Sequence, residues 1–139
     1  MKTTNIKKVA LLTSGGDAPG MNAAIRAIVL NCEYSNLSCF GFYHGYNGKI
    51  EDHLLPLSSQ LVNAEIKNGG TLLKSARCPA MMTNTGVKQA CNTLLKHEID
   101  ALIVIGGDGS FHGLLAIKAH WHGQVIGLPG TIDNGPLWL

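Results

Sequence analysis

The sequence has no run of like charge. Its 11 basic and 9 acidic residues are scattered along 139 positions and leave a formal charge of +2. Bulk electrostatics therefore give no reason to expect nucleic acid or an anionic membrane surface as a partner. Paired C-x-x-C spacing is also absent: Cys32, Cys39, Cys78 and Cys91 stand apart, and the opening MKTTNIKKVALL lacks the long apolar run and small-residue cleavage site of a secretory leader. Reduced thiols and a cytoplasmic location are the expectation. His120 and His122 in the HWHG stretch have no cysteines at matching spacing, so they make a poor zinc pair. No G-x-x-x-x-G-K-[ST] phosphate loop occurs, and Gly107-Asp108-Gly109 misses the dinucleotide fingerprint because Gly113 falls one residue late. Internal repeats, low-complexity tracts and an interdomain linker are missing too.

What is present is apolar and rich in glycine. Hydrophobic residues make up 45% of the chain, enough for one compact domain with a real core. The 17 glycines gather in a few loops rather than in repeats, which suggests backbone brought close to a ligand, most often a phosphate. Lys8 to Thr13 is a short continuous apolar run, the pattern of a strand buried on both faces. SGGDAPG follows (Ser14 to Gly20), and Met21 to about Leu30 then suits a helix. A second strand is expected near Cys39 to Tyr43 before the turn-rich HGYNG, and Gly69-Gly70-Thr71 marks a loop leading to Ser75 through Pro79. Thr83 to His97 reads as a helix with Val87, Ala90, Leu94 and Leu95 on one face. Ala101 to Ile105 is the clearest strand and runs straight into Gly106-Gly107-Asp108-Gly109-Ser110. A helix from Phe111 to His120 and a strand from Gln124 to Leu128 complete the alternation. Strands separated by helices predict an α/β fold: a doubly wound, mostly parallel sheet flanked by helices.

In such a sheet the ligand sits beyond the carboxyl ends of the strands, where SGGDAPG, GGDGS and PGTIDN follow three of the expected strands. A glycine loop leading into a helix offers free N–H groups and a positive dipole end to an anion, which nominates Gly15, Gly16, Gly107 and Gly109. Each loop also carries an aspartate, wrong in sign for phosphate but a hard oxygen donor for Mg²⁺ that bridges phosphates. Asp108 suits the metal. Asp133 suits a base accepting the proton of an attacking hydroxyl, and Arg77 a cationic clamp on the transferring phosphoryl group. Taken singly, each has an ordinary alternative: tight chain reversal for the glycines, helix capping for Asp17 or Asp108, a solvated surface position for Arg77. Three such loops at three strand ends favour a phosphate- and Mg²⁺-binding domain that transfers phosphoryl groups. The residues by themselves name no substrate.

LTSGGDAPGMNAAIRA (Leu12 to Ala27), GGTLLKSARCP (Gly69 to Pro79), IDALIVIGGDGS (Ile99 to Ser110) and IGLPGTIDN (Ile126 to Asn134) closely resemble, in order, the phosphofructokinase family, and the likeness spans nearly the whole chain. The resemblance implies the ATP-binding lobe of that fold over residues 1–139, incomplete at its C-terminal end. It also implies ATP-dependent, Mg²⁺-dependent phosphorylation of fructose 6-phosphate in glycolysis. By the same resemblance, Gly16 meets the ATP phosphates through its backbone and Arg77 and Cys78 lie along the nucleotide. Gly107, Asp108, Gly109 and Ser110 hold ATP, with Asp108 toward Mg²⁺. Thr131 and Asp133 face the sugar phosphate, and Asp133 is the base that deprotonates the 1-hydroxyl. Pyrophosphate-dependent relatives tend to carry a bulkier residue at the position of Gly109 and a lysine at that of Gly130, so the two glycines imply ATP as donor.

Arg26 matches one of the arginines with which bacterial members hold an effector between subunits, while Leu30 and Ser59 stand where two others are expected. The intact family member is expected to be a homotetramer. Where the family reads TIDND, this chain reads Thr131-Ile132-Asp133-Asn134-Gly135 and closes on PLWL, the pattern of a truncation or a change of reading frame. The alternative expectation is thus a catalytically inactive fragment that retains at most weak nucleotide binding.

Overall fold

The computed structural model describes residues 6–13, 21–42, 54–66 and 84–129. Among them the chain forms β1 (Lys8–Thr13), α1 (Met21–Tyr34), β2 (Ser38–Phe42), β3 (Leu54–Pro56), α2 (Ser59–Ile66), α3 (Asn84–Lys96), β4 (Ala101–Gly106), α4 (Asp108–His120) and β5 (Gln124–Pro129). The strands make one sheet in the order β3-β2-β1-β4-β5. All neighbours pair in parallel except β3, which runs antiparallel to β2 at one edge.

Alternation along β1 and β4 distributes the core over both faces of this sheet. Val9 and Leu11 of β1, with Ala101 and Ile105 of β4, pack against Ile25, Val29 and Cys32 of α1 and Val62 of α2. Ala10 and Leu12, with Leu102 and Val104, pack on the opposite face against Val87, Cys91 and Leu94 of α3 and Leu114 and Ile117 of α4. Strands buried on both faces must be apolar at every position, which is why β1 and β4 read as continuous hydrophobic runs rather than alternating ones. Each fully buried leucine or isoleucine in these layers contributes about 1.5–3 kcal/mol relative to exposure. The result is the expected doubly wound sheet, with α1 and α2 on one side and α3 and α4 on the other.

The differences from the sequence reading are local. Helix α1 runs four residues past Leu30, because Cys32 continues its buried face and Asn31 folds its Nδ2 back to the Ala27 carbonyl at 2.8 Å. It stops at a tight turn in which Ser35 and Leu37 both donate to the Cys32 carbonyl, at 3.2 and 2.8 Å, with Asn36 left-handed at φ 61°. Asparagine tolerates that region better than most residues.

Neither β3 nor α2 was expected. β3 is three residues long and ends in Pro56, a residue suited to an edge because it has no N–H to donate. α2 has only eight residues and is held by its neighbours: Ser58 Oγ accepts from Leu61 N at 3.2 Å, and Glu33 of α1 accepts from Ser59 N at 2.9 Å. Helix α4 begins at Asp108, three residues before the expected Phe111, so GGDGS is largely helix rather than loop. On β5, Gly127 lies beneath the Phe111 ring; a Cβ there would come within 2.9 Å of it, so the close approach of helix to strand requires glycine.

Candidate functional site

Register decides where the three motif segments start. Thr13 pairs with Ile105, Ile105 with Leu128, and Gly106 with Pro129. β1, β4 and β5 are consecutive in the sheet and therefore end level with one another. At about 4.8 Å between strands, the three chain exits lie within about 10 Å. The chain leaves β1 at Thr13 and next turns to β2 on one side, whereas β4 and β5 lie on the other side. The order thus reverses between β1 and β4, the place where open α/β sheets bind ligands.

Two described features distinguish this end. Gly107 precedes α4 in an extended conformation (φ −115°, ψ −162°), with no side chain capping the helix. Among the described residues, a Cβ placed on it would meet nothing within 4 Å. The first backbone bond of the helix, Phe111 N to Gly107 O, is 3.1 Å. An uncapped amino end with open space in front of its leading glycine is suited to an anion, since the first-turn N–H groups have no partner within the helix. Thr13 is the second feature. It is fully buried at the end of β1, and its hydroxyl has no hydrogen-bond partner among the described residues. Buried polar atoms are nearly always paired, which makes this hydroxyl an exception among the described residues. Sequence reading passed over Thr13; the available signal is a hydroxyl closing an otherwise apolar strand just before a glycine segment.

Of the expected site residues, Gly107 stands as the residue before α4, and Asp108, Gly109 and Ser110 form its first turn instead of a loop. The correction has a physical reason: an acidic residue in a first turn complements the helix dipole, which favours starting the helix there. The structure brings these four to the end of β4, the strand next to the one that Thr13 closes. Gly15, Gly16, Asp17, Arg77, Cys78, Thr131 and Asp133 lie outside the described residues. Arg26 sits on the exposed side of α1, its Nε donating to Asn63 Oδ1 of α2 at 2.8 Å. Among the described residues no group of three or more His, Cys, Asp or Glu could hold a metal ion, and His120 and His122 are not buried. Asp108 is the first residue of α4.

The opposite end of the sheet is closed. Asp100 Oδ2 accepts from Lys7 N at 2.8 Å and Lys8 N at 2.9 Å, and its backbone N donates to the Lys8 carbonyl at 2.8 Å. The two backbone donors hold the Asp100 carboxyl below its ordinary value of 3.8, with the lysine charges assisting. This clamp fixes β1 beside β4 and so sets the level at which their far ends open.

A family model described as Phosphofructokinase matches residues 8–135. The ATP-dependent 6-phosphofructokinase of Haemophilus ducreyi is 51% identical over 129 residues, and that of Thermoanaerobacter sp. (strain X514) 47% over 129 residues. Both alignments cover 93% of this chain and 40% of the relative, so the chain spans well under half of their length. Among solved structures, Pichia pastoris phosphofructokinase in the T-state superposes with a TM-score of 0.81 at 36% identity, covering 96% of this chain and 16% of that one. A pyrophosphate-dependent phosphofructokinase from Marinobacter aquaeolei shares the fold, with a TM-score of 0.69 at 19% identity over 88% of this chain and 33% of its own. With the sheet order, the level strand ends and a family match running from the first strand to beyond the last, the chain belongs to the phosphofructokinase family.

Proposed function

We propose that residues 1–139 are the nucleotide-binding lobe of an ATP-dependent 6-phosphofructokinase, a glycolytic enzyme that transfers the γ-phosphoryl group of ATP to the 1-hydroxyl of fructose 6-phosphate. The observation that carries this reading is the level ending of β1, β4 and β5, which starts SGGDAPG, GGDGS and PGTIDN side by side. The names of the relatives support ATP as donor, as do Gly109 and Gly130. In this reading the backbone of Gly16 and of Gly107 to Ser110 receives the ATP phosphates, while Arg77 and Cys78 lie along the nucleotide. Thr131 and Asp133 hold the sugar phosphate, and Asp133 takes the proton of the 1-hydroxyl as its oxygen attacks the γ-phosphorus and the β–γ bridging oxygen departs with ADP. Mg²⁺, held by Asp108 and phosphate oxygens, would neutralise charge developing on the phosphoryl group. Arg26 contributes to an effector site between subunits of a cytoplasmic tetramer. No described helix is long and apolar enough to cross a membrane.

The 40% coverage of the relatives favours a second reading for the chain acting alone: nucleotide binding without turnover. Phosphoryl transfer depends on several elements positioned together, so loss of some of them costs many factors of ten. A coupled assay of the purified chain with ATP, Mg²⁺ and fructose 6-phosphate, beside calorimetric titration with ATP, separates the two. Turnover that disappears in Asp133→Asn establishes a catalytic chain. Binding without turnover establishes the lobe alone, and a folded chain that neither binds nor turns over rejects the proposal.

A further inference from the structure

The two edges of the sheet are unlike. β3 is three residues long and ends in Pro56, which makes it a poor template for pairing. β5, at the other edge, is six residues long, carries no charge and has its one proline in last place. Gln124 N donates to the carbonyl of Asp100, just before β4, at 3.1 Å. Backbone groups alternate in direction along a strand, so those of Val125 and Gly127 point away from β4, to an edge with which no described strand pairs. The two faces of β5 differ as well. On the side of α3 and α4, Val125 packs against the buried cluster and Gly127 lies beneath the Phe111 ring. On the side of α1 and α2, Ile126 stands level with Ile103 of β4. α1 packs over β1 and β2, and among the described residues its cover thins here: Ile103 is half-buried and Ile126 is 46% exposed.

We propose that the β5 edge and the Ile103–Ile126 face together receive the part of a phosphofructokinase polypeptide that lies outside the alignments with the relatives. One strand of it adds to β5, and the apolar face of a helix covers the two isoleucines. The inference rests on reading the chain as one lobe of such an enzyme. The alignments cover 93% of this chain but 40% of each relative, and the family match runs on to residue 135, past β5. The relatives thus carry a longer stretch of polypeptide joined to a lobe of this kind. Elsewhere the described sheet is taken: α3 and α4 cover one face, α1 and α2 cover the β1–β2 part of the other, and β3 closes the far edge. A mostly parallel sheet is normally covered on both faces, and an uncharged open edge is a template for another strand. Both requirements are met at one place if the added polypeptide docks along β5.

The test expresses the 139-residue chain together with a separate polypeptide, the segment of the Haemophilus ducreyi 6-phosphofructokinase that follows the aligned 129 residues. The expected result is a one-to-one complex in which the Val125 and Gly127 amides exchange with deuterium about tenfold more slowly than in the chain alone. The Ile126 amide, which already faces β4, should change less. Ile126→Glu should abolish the complex and leave the free chain folded, because the position is half-exposed. Leu115→Glu, at an exposed position on α4, should leave the complex intact. Two soluble chains that do not associate, a complex indifferent to Ile126→Glu, or a dimer of this chain alone that the same substitution dissolves overturns the proposal. Where the segment is insoluble by itself, a flexible linker joins it after Leu139, and exchange at Val125 and Gly127 decides in the same way. Calorimetric titration with ATP keeps the two readings apart. A chain that binds ATP but not the segment rejects only this docking surface, and one that binds the segment but not ATP rejects only the nucleotide reading.

Discussion

The two ends of the sheet follow opposite rules. At the amino end the polar groups of the β1–β4 junction are tied: the Asp100 carboxylate receives two backbone N–H groups, and Lys8 Nζ donates to the His97 carbonyl at 3.2 Å. At the carboxyl end of the same two strands, Thr13 keeps a buried hydroxyl without a partner among the described residues, and α4 starts behind a glycine whose Cβ position no described residue approaches within 4 Å. The contrast is one of polar pairing: among the described residues one end is satisfied by its own groups and fixes the register, while the other keeps an unpartnered hydroxyl.

The largest effect on stability is expected at the closed end. Asp100→Ala removes an acceptor from two N–H groups and should cost about 1–2 kcal/mol in urea unfolding near neutral pH. Because the folded carboxyl sits below its ordinary value of 3.8, its contribution is present above that pH and is lost as pH falls through the depressed value. The gap between wild type and variant should therefore close in acid. A gap that persists there would show that Asp100 does not act through its charge.

At the open end the expected loss is of binding rather than stability. Gly107→Ala meets no atom of the described residues and asks for no forbidden backbone conformation, so the unfolding midpoint should hold. ATP affinity measured by calorimetry should fall about tenfold, equivalent to about 1.4 kcal/mol, because the methyl group enters the space before the helix. Equal affinity would mean that this space is not where phosphate lies. The smallest effect belongs to Thr13→Val, which replaces the buried hydroxyl with a methyl of similar shape. It should leave stability unchanged or raise it by less than about 1 kcal/mol. A marked loss instead would mean that the hydroxyl has a partner and that the open end is less open than described.

Much of this fold was legible from periodicity alone. β1, β4 and β5 are short apolar runs bounded by glycine or polar residues, and a helix between parallel strands needs no long-range information to be expected. α2 and β3 were not legible, because neither is stabilised locally. Eight residues are too few to hold a helix by themselves, and α2 depends on Glu33 from α1 and on burial of Val62. β3 is a three-residue strand that exists by pairing with β2. The start of α4 was misplaced for a related reason: glycines at 107 and 109 read as loop, whereas the tertiary position at the end of β4 lets the helix begin between them.

The sequence by itself determined the class of the fold, the order of its motif segments and the family to which the chain belongs, because hydrophobic period and short glycine patterns are local properties. Only the tertiary structure decided that three segments far apart in sequence begin level and adjacent, since that depends on strand order and register. It alone singled out Thr13, whose buried hydroxyl has no partner among the described residues. A missing hydrogen bond is a fact about neighbours, and neighbours are assigned by packing.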